Sequence, residues 1–472
     1  MKDKIKNIIE NDKFLSLLRE ELKGVEAYLA GGYIRDLALS YQSKATSNSN
    51  LTQENGELTN EEPVSHDRDI VLFNCNTENV ARNLANSIGA AFVELDAENK
   101  IYRVVSGDDY ADIAQGLNNN VDDDIDRRDF TINSIFYNLQ NGEFYDKNRG
   151  LEDIEAKIIK TKDLKNLSDD PLRMFRAFRF KSKTGFKIND DVIKFTIGNA
   201  QKLHGVAKER IKQEIIKTFE GDFLNETLLE MFDIDLLEVI FPFVKEIKKI
   251  PPNSHHHLDL VHHSIETTRQ IRQNKPLLRL AAFYHDIGKP KCWTIEPETQ
   301  RHRFIGHDEI GGKLVIKELS ALKFSKKEIE YVSKMVKNHI YPSSLAHSAA
   351  SDGQEVSNKA IARFIRKIHP DVEDLIELAR ADRLSARGEA VSDKMVEDNL
   401  LNLEKLLLHY RSIKDRMQAL PKILDGREIM EILKIDAGPK LGDIIDALKE
   451  AQIEGIVKTK KDAECFIKKL PR

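Results

Sequence analysis

Two aspartates, Asp67 and Asp69, stand two residues apart at the start of a β-branched run, DRDIVLF. In a strand, residues i and i+2 project to one face, so both carboxylates point the same way. Side by side they repel unless a cation sits between them, and hard oxygen ligands favour Mg²⁺, with substrate phosphates completing the shell. Taken alone, such a pair is also what a solvated strand end looks like. Upstream, Gly31 and Gly32 fall between a strand-like stretch, VEAYLA, and a helical one. There a backbone without Cβ can approach a triphosphate, or simply turn. Arg35 lies in the first turns of that helix, within reach of a phosphate, and Asp36 is placed to orient its neighbours. Asp112, in YADIA, offers a third carboxylate for the metal or for the proton of an attacking hydroxyl. By itself it reads first as a surface aspartate.

The run Asp126-Arg127-Arg128-Asp129-Phe130-Thr131-Ile132-Asn133 concentrates charge and an amide in one place. Arginine forks suit phosphate, while Asp129 and Asn133 suit ribose hydroxyls; the plain reading is a capped helix start. Asp170-Pro171-Leu172-Arg173 reads first as N-cap and N1 of a helix. Arg173 lies one turn on, and an Asp acceptor beside an Arg donor can also match a nucleobase edge.

A second cluster lies downstream: His263, then His285-Asp286, His307, His339 and Asp382, all in helix-like stretches. Neutral imidazoles with carboxylates drawn from several helices suit one or two divalent transition metals. His255, His256, His257 and His262 are further candidates nearby.

The elements that must position these groups are legible in outline. Residues 1–24 read as one amphipathic helix, with Ile5, Ile8, Ile9, Leu15, Leu17 and Leu18 at helical spacing. Strands are expected at VEAYLA, RDIVLF, AAFVEL, IYRVVS and YADIA, with helices from Tyr33 and over Thr77–Ile88. Residues 40–65 are polar and aperiodic and read as an insertion. After Asp146 the pattern becomes almost wholly helical, with a break at Asp436-Ala-Gly-Pro. The fold class is therefore α+β: an α/β head with a mixed sheet, then an all-helical neck, metal-site domain and tail. The boundaries expected are 1–145, 146–245, 246–390 and 391–472.

Composition fits this plan. Across 472 residues, 40% are hydrophobic and 32% charged, and no apolar run approaches the length needed to span a bilayer. The three cysteines, Cys75, Cys292 and Cys465, are too few and too far apart for a disulfide framework or a Cys-type zinc cluster, which points to a reducing cytoplasm. MKDKIKNIIENDKF lacks the apolar stretch of a signal peptide. The net charge of -5 argues against a general nucleic-acid coat protein. Local basic stretches remain at Arg173–Lys187, Lys202–Lys217 and Lys458–Arg472.

GGYIRD, DRD, RRDFTIN and DPLRMFRAFRF occur in this order at the expected junctions. The set resembles the bacterial-type (class II) tRNA nucleotidyltransferase and poly(A) polymerase family, over essentially the whole chain after residue 25. The resemblance implies that Asp67 and Asp69 hold the catalytic Mg²⁺ and that Gly31, Gly32 and Arg35 hold the triphosphate. It implies that Arg127, Arg128, Asp129 and Asn133 bind sugar and phosphates. Asp170 and Arg173 would read the base of CTP or ATP, with Arg176 completing the nucleotide-binding set, and tRNA would be the acceptor. Asp146, Gly150 and Asp153 match the link from head to neck, and Glu209-Arg210 with Glu214 match a helix-stabilising neck motif. Three features depart from the family: the insertion, an Asp169 where Glu is usual, and a short Gln115–Asp124 segment resembling enzymes that add only part of CCA. The downstream cluster, centred on YHDIGK, resembles the HD phosphohydrolase superfamily, which implies metal-activated water attacking a phosphate ester. Two rival readings follow: a poly(A) polymerase, and a phosphohydrolase whose head only binds RNA.

Overall fold

The structure is a computed structural model and describes residues 1–47, 68–251, 259–300, 302–351, 356–386, 392–419, 422–453 and 455–470. Asp67, most of the 40–65 insertion and His255–His257 lie outside the described residues. The chain divides into two compact units, Met1–Val239 and Ile240–Arg472.

The first unit opens with two helices, α1 (Lys2–Asn11) and α2 (Lys13–Glu21), where a single helix was expected. Asp12 causes the break: it leaves helical geometry and its carboxylate accepts the Leu15 N–H, capping α2. Then follow β1 (Glu26–Ala30), α3 (Gly32–Ser47), β2 (Arg68–Phe73), α4 (Thr77–Ser87), β3 (Ala91–Asp96), β4 (Ile101–Ser106) and β5 (Asp109–Gln115). A short helix α5 (Val121–Asp126) leads to β6 (Phe136–Asn138) and β7 (Phe144–Tyr145). The seven strands form one mixed sheet in the order β3-β4-β5-β2-β1-β6-β7. β2 is antiparallel to β1 and parallel to β5, so it lies in the interior of the sheet. Its run of Ile70, Val71, Leu72 and Phe73 is buried accordingly.

Helices dominate the rest of this unit: α6 (Gly150–Glu155), then after β8 (Ile158–Ile159) α7 (Lys165–Asp169) and α8 (Leu172–Thr184). After β9 (Lys187–Ile188) come α9 (Asp190–Asn199), α10 (Lys208–Phe219), α11 (Leu224–Asp233) and α12 (Leu236–Ile240), the last crossing into the second unit. The two-stranded parallel pair β8-β9 is the one departure here from the all-helical expectation. α8 is the spine: Leu172, Met174, Phe175, Ala177, Phe178 and Phe180 are buried, and α10 and α11 pack against it.

The second unit is helical. After α13 (Val244–Ile247), α14 (Leu260–Arg269), α15 (Pro276–Tyr284) and α16 (Lys289–Cys292) comes a small hairpin, β10 (Thr294–Ile295) and β11 (His302–Arg303), that hydropathy did not foretell. It is followed by α17 (His307–Ala321), α18 (Lys326–Asn338), α19 (Tyr341–Ser351), α20 (Asn358–Ile368), α21 (Val372–Ser385) and the long α22 (Asp393–Ala419). α14, α15, α18 and α21 pack on one another. The closing helices α23 (Gly426–Leu433), α24 (Pro439–Ile453) and α25 (Lys460–Lys468) share a core of Leu424, Ile429, Ile444, Leu448, Val457 and Ile467. Among the described residues, no helix is long and apolar enough to cross a membrane.

Candidate functional site

The head cavity is lined by the interior strands β2 and β5, the turn after β1, and α8. β2 carries Asp69 beside Asp112 of β5, and Arg103 of β4 lies opposite Asp112, so the three side chains form a row across adjacent strands. Arg68, the residue between the two acids of DRD, points the other way. It is buried, ion-paired to Asp12 at 3.0 Å and Asp109 at 2.9 Å, and packed against the Phe14 and Tyr33 rings. Alternation along β2 thus sends a neutralised cation inward and leaves Asp69 facing the cavity.

At the end of β1, Gly31 has a φ of +69° and is pressed against the site. A Cβ there would stand 3.1 Å from an Arg128 nitrogen and 3.8 Å from an Asp69 oxygen, so a side chain would intrude between the acid and the arginine. The cavity has a volume of about 480 Å³, within the range that holds a nucleotide-sized ligand. Six arginines (Arg35, Arg127, Arg128, Arg173, Arg176 and Arg179) and four aspartates (Asp69, Asp112, Asp129 and Asp170) line it. An excess of guanidinium in a half-enclosed space is complementary to a polyphosphate.

These side chains are held by one another. Arg35 donates to Asn133 Oδ1 at 2.6 Å, and Asn133 Nδ2 donates to Asp129 Oδ1 at 2.9 Å. The other Asp129 oxygen meets Arg176 at 2.7 Å. Burial alone would raise the Asp129 pKa, but Arg176, the Asn133 amide and the Phe130 N–H outweigh it and hold the carboxyl below its ordinary value. Phe180 is the common platform, with the guanidinium carbons of Arg35 at 4.9 Å, Arg176 at 5.9 Å and Arg179 at 4.1 Å from its ring centre. Arg179 also meets Glu214 at 2.9 Å. Burial, with Arg176 and Arg35 adding to it, nevertheless pushes Arg179 down to about 10, which marks a cation short of negative charge. Arg128 Nε and Arg176 Nε are buried and have no hydrogen-bond partner among the described residues. A phosphate oxygen is the partner this donor set fits.

Asp124, inside the Gln115–Asp124 segment, is the buried anchor beneath the two arginines. It accepts from Arg127 at 2.6 Å, from Arg128 at 3.1 Å and from the Leu117 N–H at 3.2 Å. Burial would raise its pKa, but Arg128 and Arg127 hold it below the ordinary aspartate value. A depressed folded-state pKa contributes stability that is complete above the unfolded value and is lost as pH falls from there through the lower folded value. Asp124→Asn is therefore expected to cost about 1.5–3 kcal/mol at pH 7, the worth of hydrogen bonds to charged groups. Melting curves of the variant and the parent should converge as pH falls from the ordinary aspartate range through the depressed folded-state value; a gap that persists unchanged into acid would contradict this assignment.

The structure gathers Gly31, Gly32, Arg35, Asp69, Asp112, Arg127, Arg128, Asp129, Asn133, Asp170, Arg173 and Arg176 around this one cavity. Asp112 is in place, but both its oxygens are held by Arg103, at 2.6 and 2.8 Å. Asp170 is a weak cap: its Oδ1 accepts the Leu172 N–H at 3.3 Å, while Oδ2 meets Arg210 of α10 at 2.7 Å. Sequence reasoning missed Arg179 and Phe180, although Arg173, Arg176 and Arg179 repeat at the helical i, i+3 spacing that would have found them. It also missed Asp124, which type and spacing do not set apart from the acids beside it, Arg103, whose partner lies across a strand pair, and Asn166, whose partners are backbone carbonyls remote in sequence.

The second unit gathers the other cluster. His263, His285 and Asp286 offer ligand atoms within 4.8 Å of one another, as do Asp286, His307 and His339. Each histidine spends Nδ1 on a backbone carbonyl: Ala282 for His285, Phe304 for His307 and Val336 for His339, all at 2.7 Å, and Ser385 for His263 at 3.4 Å. With Nδ1 turned to a carbonyl, each ring points Nε2 inward, where it can serve as a ligand. Those nitrogens meet, His263 with His285 at 3.2 Å and His307 with His339 at 3.3 Å. Asp382 Oδ1 lies 3.0 Å from His263 Nε2, and Asp286 Oδ1 lies 3.4 Å from His307 Nε2. Lone pairs and carboxylates facing one another require a cation, and this mixed nitrogen–oxygen set fits a divalent metal. The two carboxylates favour a positive charge in their midst. Burial opposes charge on His285, but Asp286 and Asp382 hold its pKa up to about 10. Burial and the neighbouring His285 and His307 push His339 down to about 4. His262 stands apart, bonded to Asp259 at 2.8 Å.

Residues 27–160 match the family of Poly A polymerase head domains. Residues 185–248 match the probable RNA and SrmB-binding site of polymerase A, and residues 254–387 match the HD domain. Fold and site thus define a nucleotidyltransferase with a polymerase-A-type head and an HD domain. The chain is 30% identical over 399 residues to the A-adding tRNA nucleotidyltransferase of Deinococcus radiodurans, covering 82% of this chain and 88% of that protein. It is 28% identical over 399 residues to the CC-adding tRNA nucleotidyltransferase of Thermus thermophilus, covering 83% and 86%. The chain belongs to the tRNA nucleotidyltransferase family. The solved CCA-adding enzyme of Thermotoga maritima in complex with tRNA shares the fold at a TM-score of 0.58 and 16% identity, covering 98% of this chain and 97% of that one.

Proposed function

We propose that the protein extends the 3′ ends of immature tRNA with C, A or both, taken from CTP and ATP without a template. One observation carries this reading: the cavity in which Asp69, Gly31 and six arginines converge. In the reaction, the tRNA 3′ hydroxyl attacks the α-phosphate, and pyrophosphate leaves in line. Arg35, Arg127, Arg128 and Arg176 hold the triphosphate, and Gly31 and Gly32 let the backbone approach it. Asp129 and Asn133 hold the sugar, and Asp170 with Arg173 reads the base. Asp67 and Asp69 would hold divalent ions, Mg²⁺ by the hardness of their oxygens, which when bound supply charge neutralisation at the phosphates. Positioning and fixed charge then supply most of the acceleration. Asp112, its charge taken by Arg103, serves to shape the cavity floor.

The division into a head to residue 145, a neck to 245, an HD domain to 390 and a tail is retained as the functional one. In the HD domain, His263, His285, Asp286, His307, His339 and Asp382 would hold a divalent transition metal for hydrolysis of phosphate esters at RNA ends. The three cysteines, none in a disulfide, accord with a cytoplasmic enzyme.

The test incubates the protein with tRNAs ending at the discriminator base, at C and at CC, with labelled CTP and ATP supplied separately. Extension by one to three residues, stopping at or before the completed CCA, is the expected product. Long A tails would make the protein a poly(A) polymerase, and no extension of any acceptor would leave only the HD activity. The relatives that add A or CC, together with the short Gln115–Asp124 segment, favour a partial adder. In parallel, release of phosphate from 2′,3′-cyclic phosphate ends should vanish in His285→Ala while tRNA extension persists.

A further inference from the structure

The base-reading pair, as assigned under the proposed function, is held in place by two tethers that do not themselves line the cavity. C and A both present an exocyclic amino donor beside a ring-nitrogen acceptor. U and G present the reverse pattern, a carbonyl beside an N–H. An acceptor from Asp170 and a donor from Arg173 therefore select C and A only while each side chain keeps its orientation. Both are flexible, and a loose Arg173 would serve the carbonyl of U or G as well.

The orientation is fixed from Asn166 and Arg210. Arg173 Nη1 donates to the Asn166 carbonyl at 3.1 Å. The Asn166 side-chain amide is the hub: Nδ2 donates to the Asp126 carbonyl at 2.7 Å and to the Arg128 carbonyl at 2.9 Å. These two carbonyls flank Arg127 in the turn that carries the triphosphate arginines. Asn166 is buried, 7% exposed, so its amide has no water to turn to instead. One residue thus joins the phosphate side of the cavity to the base side through its side chain and its backbone. On the other flank, Arg210 of α10 reaches Asp170 Oδ2 at 2.7 Å and leaves Oδ1 as the less engaged edge.

We infer that Asn166 is a positioning residue for nucleotide choice, coupling the triphosphate turn to Arg173, with Arg210 as the matching tether on Asp170. Neither residue lines the cavity. What they govern is which base is read, so their loss changes the ratio of nucleotides more than the rate with the correct one.

The experiment measures kcat and KM for all four nucleoside triphosphates on one tRNA acceptor, in the full-length protein and in Asn166→Ala and Arg210→Gln. The side chain of Arg210 is half exposed, so Arg210→Gln tests the idea even if Asn166→Ala folds poorly. Each folded variant is expected to raise kcat/KM for UTP and GTP relative to CTP and ATP by about tenfold or more, the factor tied to one well-placed hydrogen bond. A role in stability alone would lower all four together, and an unchanged ratio in the folded variants overturns the inference. If the parent enzyme extends tRNA with neither CTP nor ATP, the proposed function fails instead, so the two failures are distinguishable.

Discussion

Asp69→Asn is expected to lower the rate of nucleotide incorporation by at least about 10³-fold, the several kcal/mol that metal-assisted charge stabilisation contributes to phosphoryl transfer. The fold does not need the charge. Asp69 sits in an interior strand in register with Ala30 on one side and Asp112 on the other, and those backbone pairings survive an isosteric amide. Its carboxylate faces the cavity beside Gly31 and Arg128, where the proposed function would seat a phosphate-bound cation. Asparagine fills the same space without the negative charge. Single-turnover assays with labelled CTP and ATP, run beside a thermal melt, separate the two effects. Incorporation at the parent rate would refute the assignment, and a collapsed melt would move Asp69 from chemistry to folding. Asp67→Ala carries the same expectation from the family resemblance. Asp112→Asn should cost far less if its role is the ion pair with Arg103, because the carboxylate is already committed.

The second large effect is one of stability and lies on the opposite side of the same strand. Asp12→Ala leaves the Arg68 guanidinium, 3% exposed, with only Asp109 as a charged partner among the described residues. Breaking a buried pair by removing one member costs about 3–5 kcal/mol, because the remaining charge stays out of water. The same change removes the cap of α2 and the acceptor of the Tyr33 hydroxyl at 2.8 Å. At roughly 2–4 °C per kcal/mol for a unit of this size, the melting transition of the first unit should fall by about 6–20 °C. A shift of under 2 °C by calorimetry would show that the network carries no such weight. The double variant Asp12→Ala, Arg68→Met should recover much of the loss, since replacing both partners by apolar groups removes the stranded charge. The N-terminal helices lie outside the matched head domain, which begins at residue 27. Through Asp12 they nonetheless hold the strand that presents Asp69.

Much of this molecule was legible before any coordinates. Periodicity located the strands at VEAYLA, RDIVLF, AAFVEL, IYRVVS and YADIA, because each alternates or runs apolar over a strand's length. It failed at residues 1–24, where two amphipathic helices share one periodicity and only the cap at Asp12 divides them. It passed over the β10-β11 hairpin, whose strands are two residues each and carry no period. The residue types of the site were equally plain, since acids two apart, paired glycines and paired arginines declare their chemistry by type and spacing. Their partners were not. Asp124 looked like one acid among several in VDDDID, yet it is the one buried beneath Arg127 and Arg128.

By itself, the sequence determined which groups are available: hard carboxylates for a cation, guanidinium forks for phosphate, and imidazoles for a softer metal. It also determined the local elements that carry them, because side-chain direction along a strand or helix follows from backbone period alone. Only the tertiary structure decided what each group is free to do. Asp69 and Asp112 are the same residue type on neighbouring strands, and what separates them is Arg103, which ties both oxygens of Asp112. Asn166, unremarkable in sequence, became a hub because its amide meets two carbonyls some forty residues away. The physical reason is that ionisation, hydrogen bonding and orientation depend on distances of about 3 Å between atoms remote along the chain, and those distances exist only once the chain has packed.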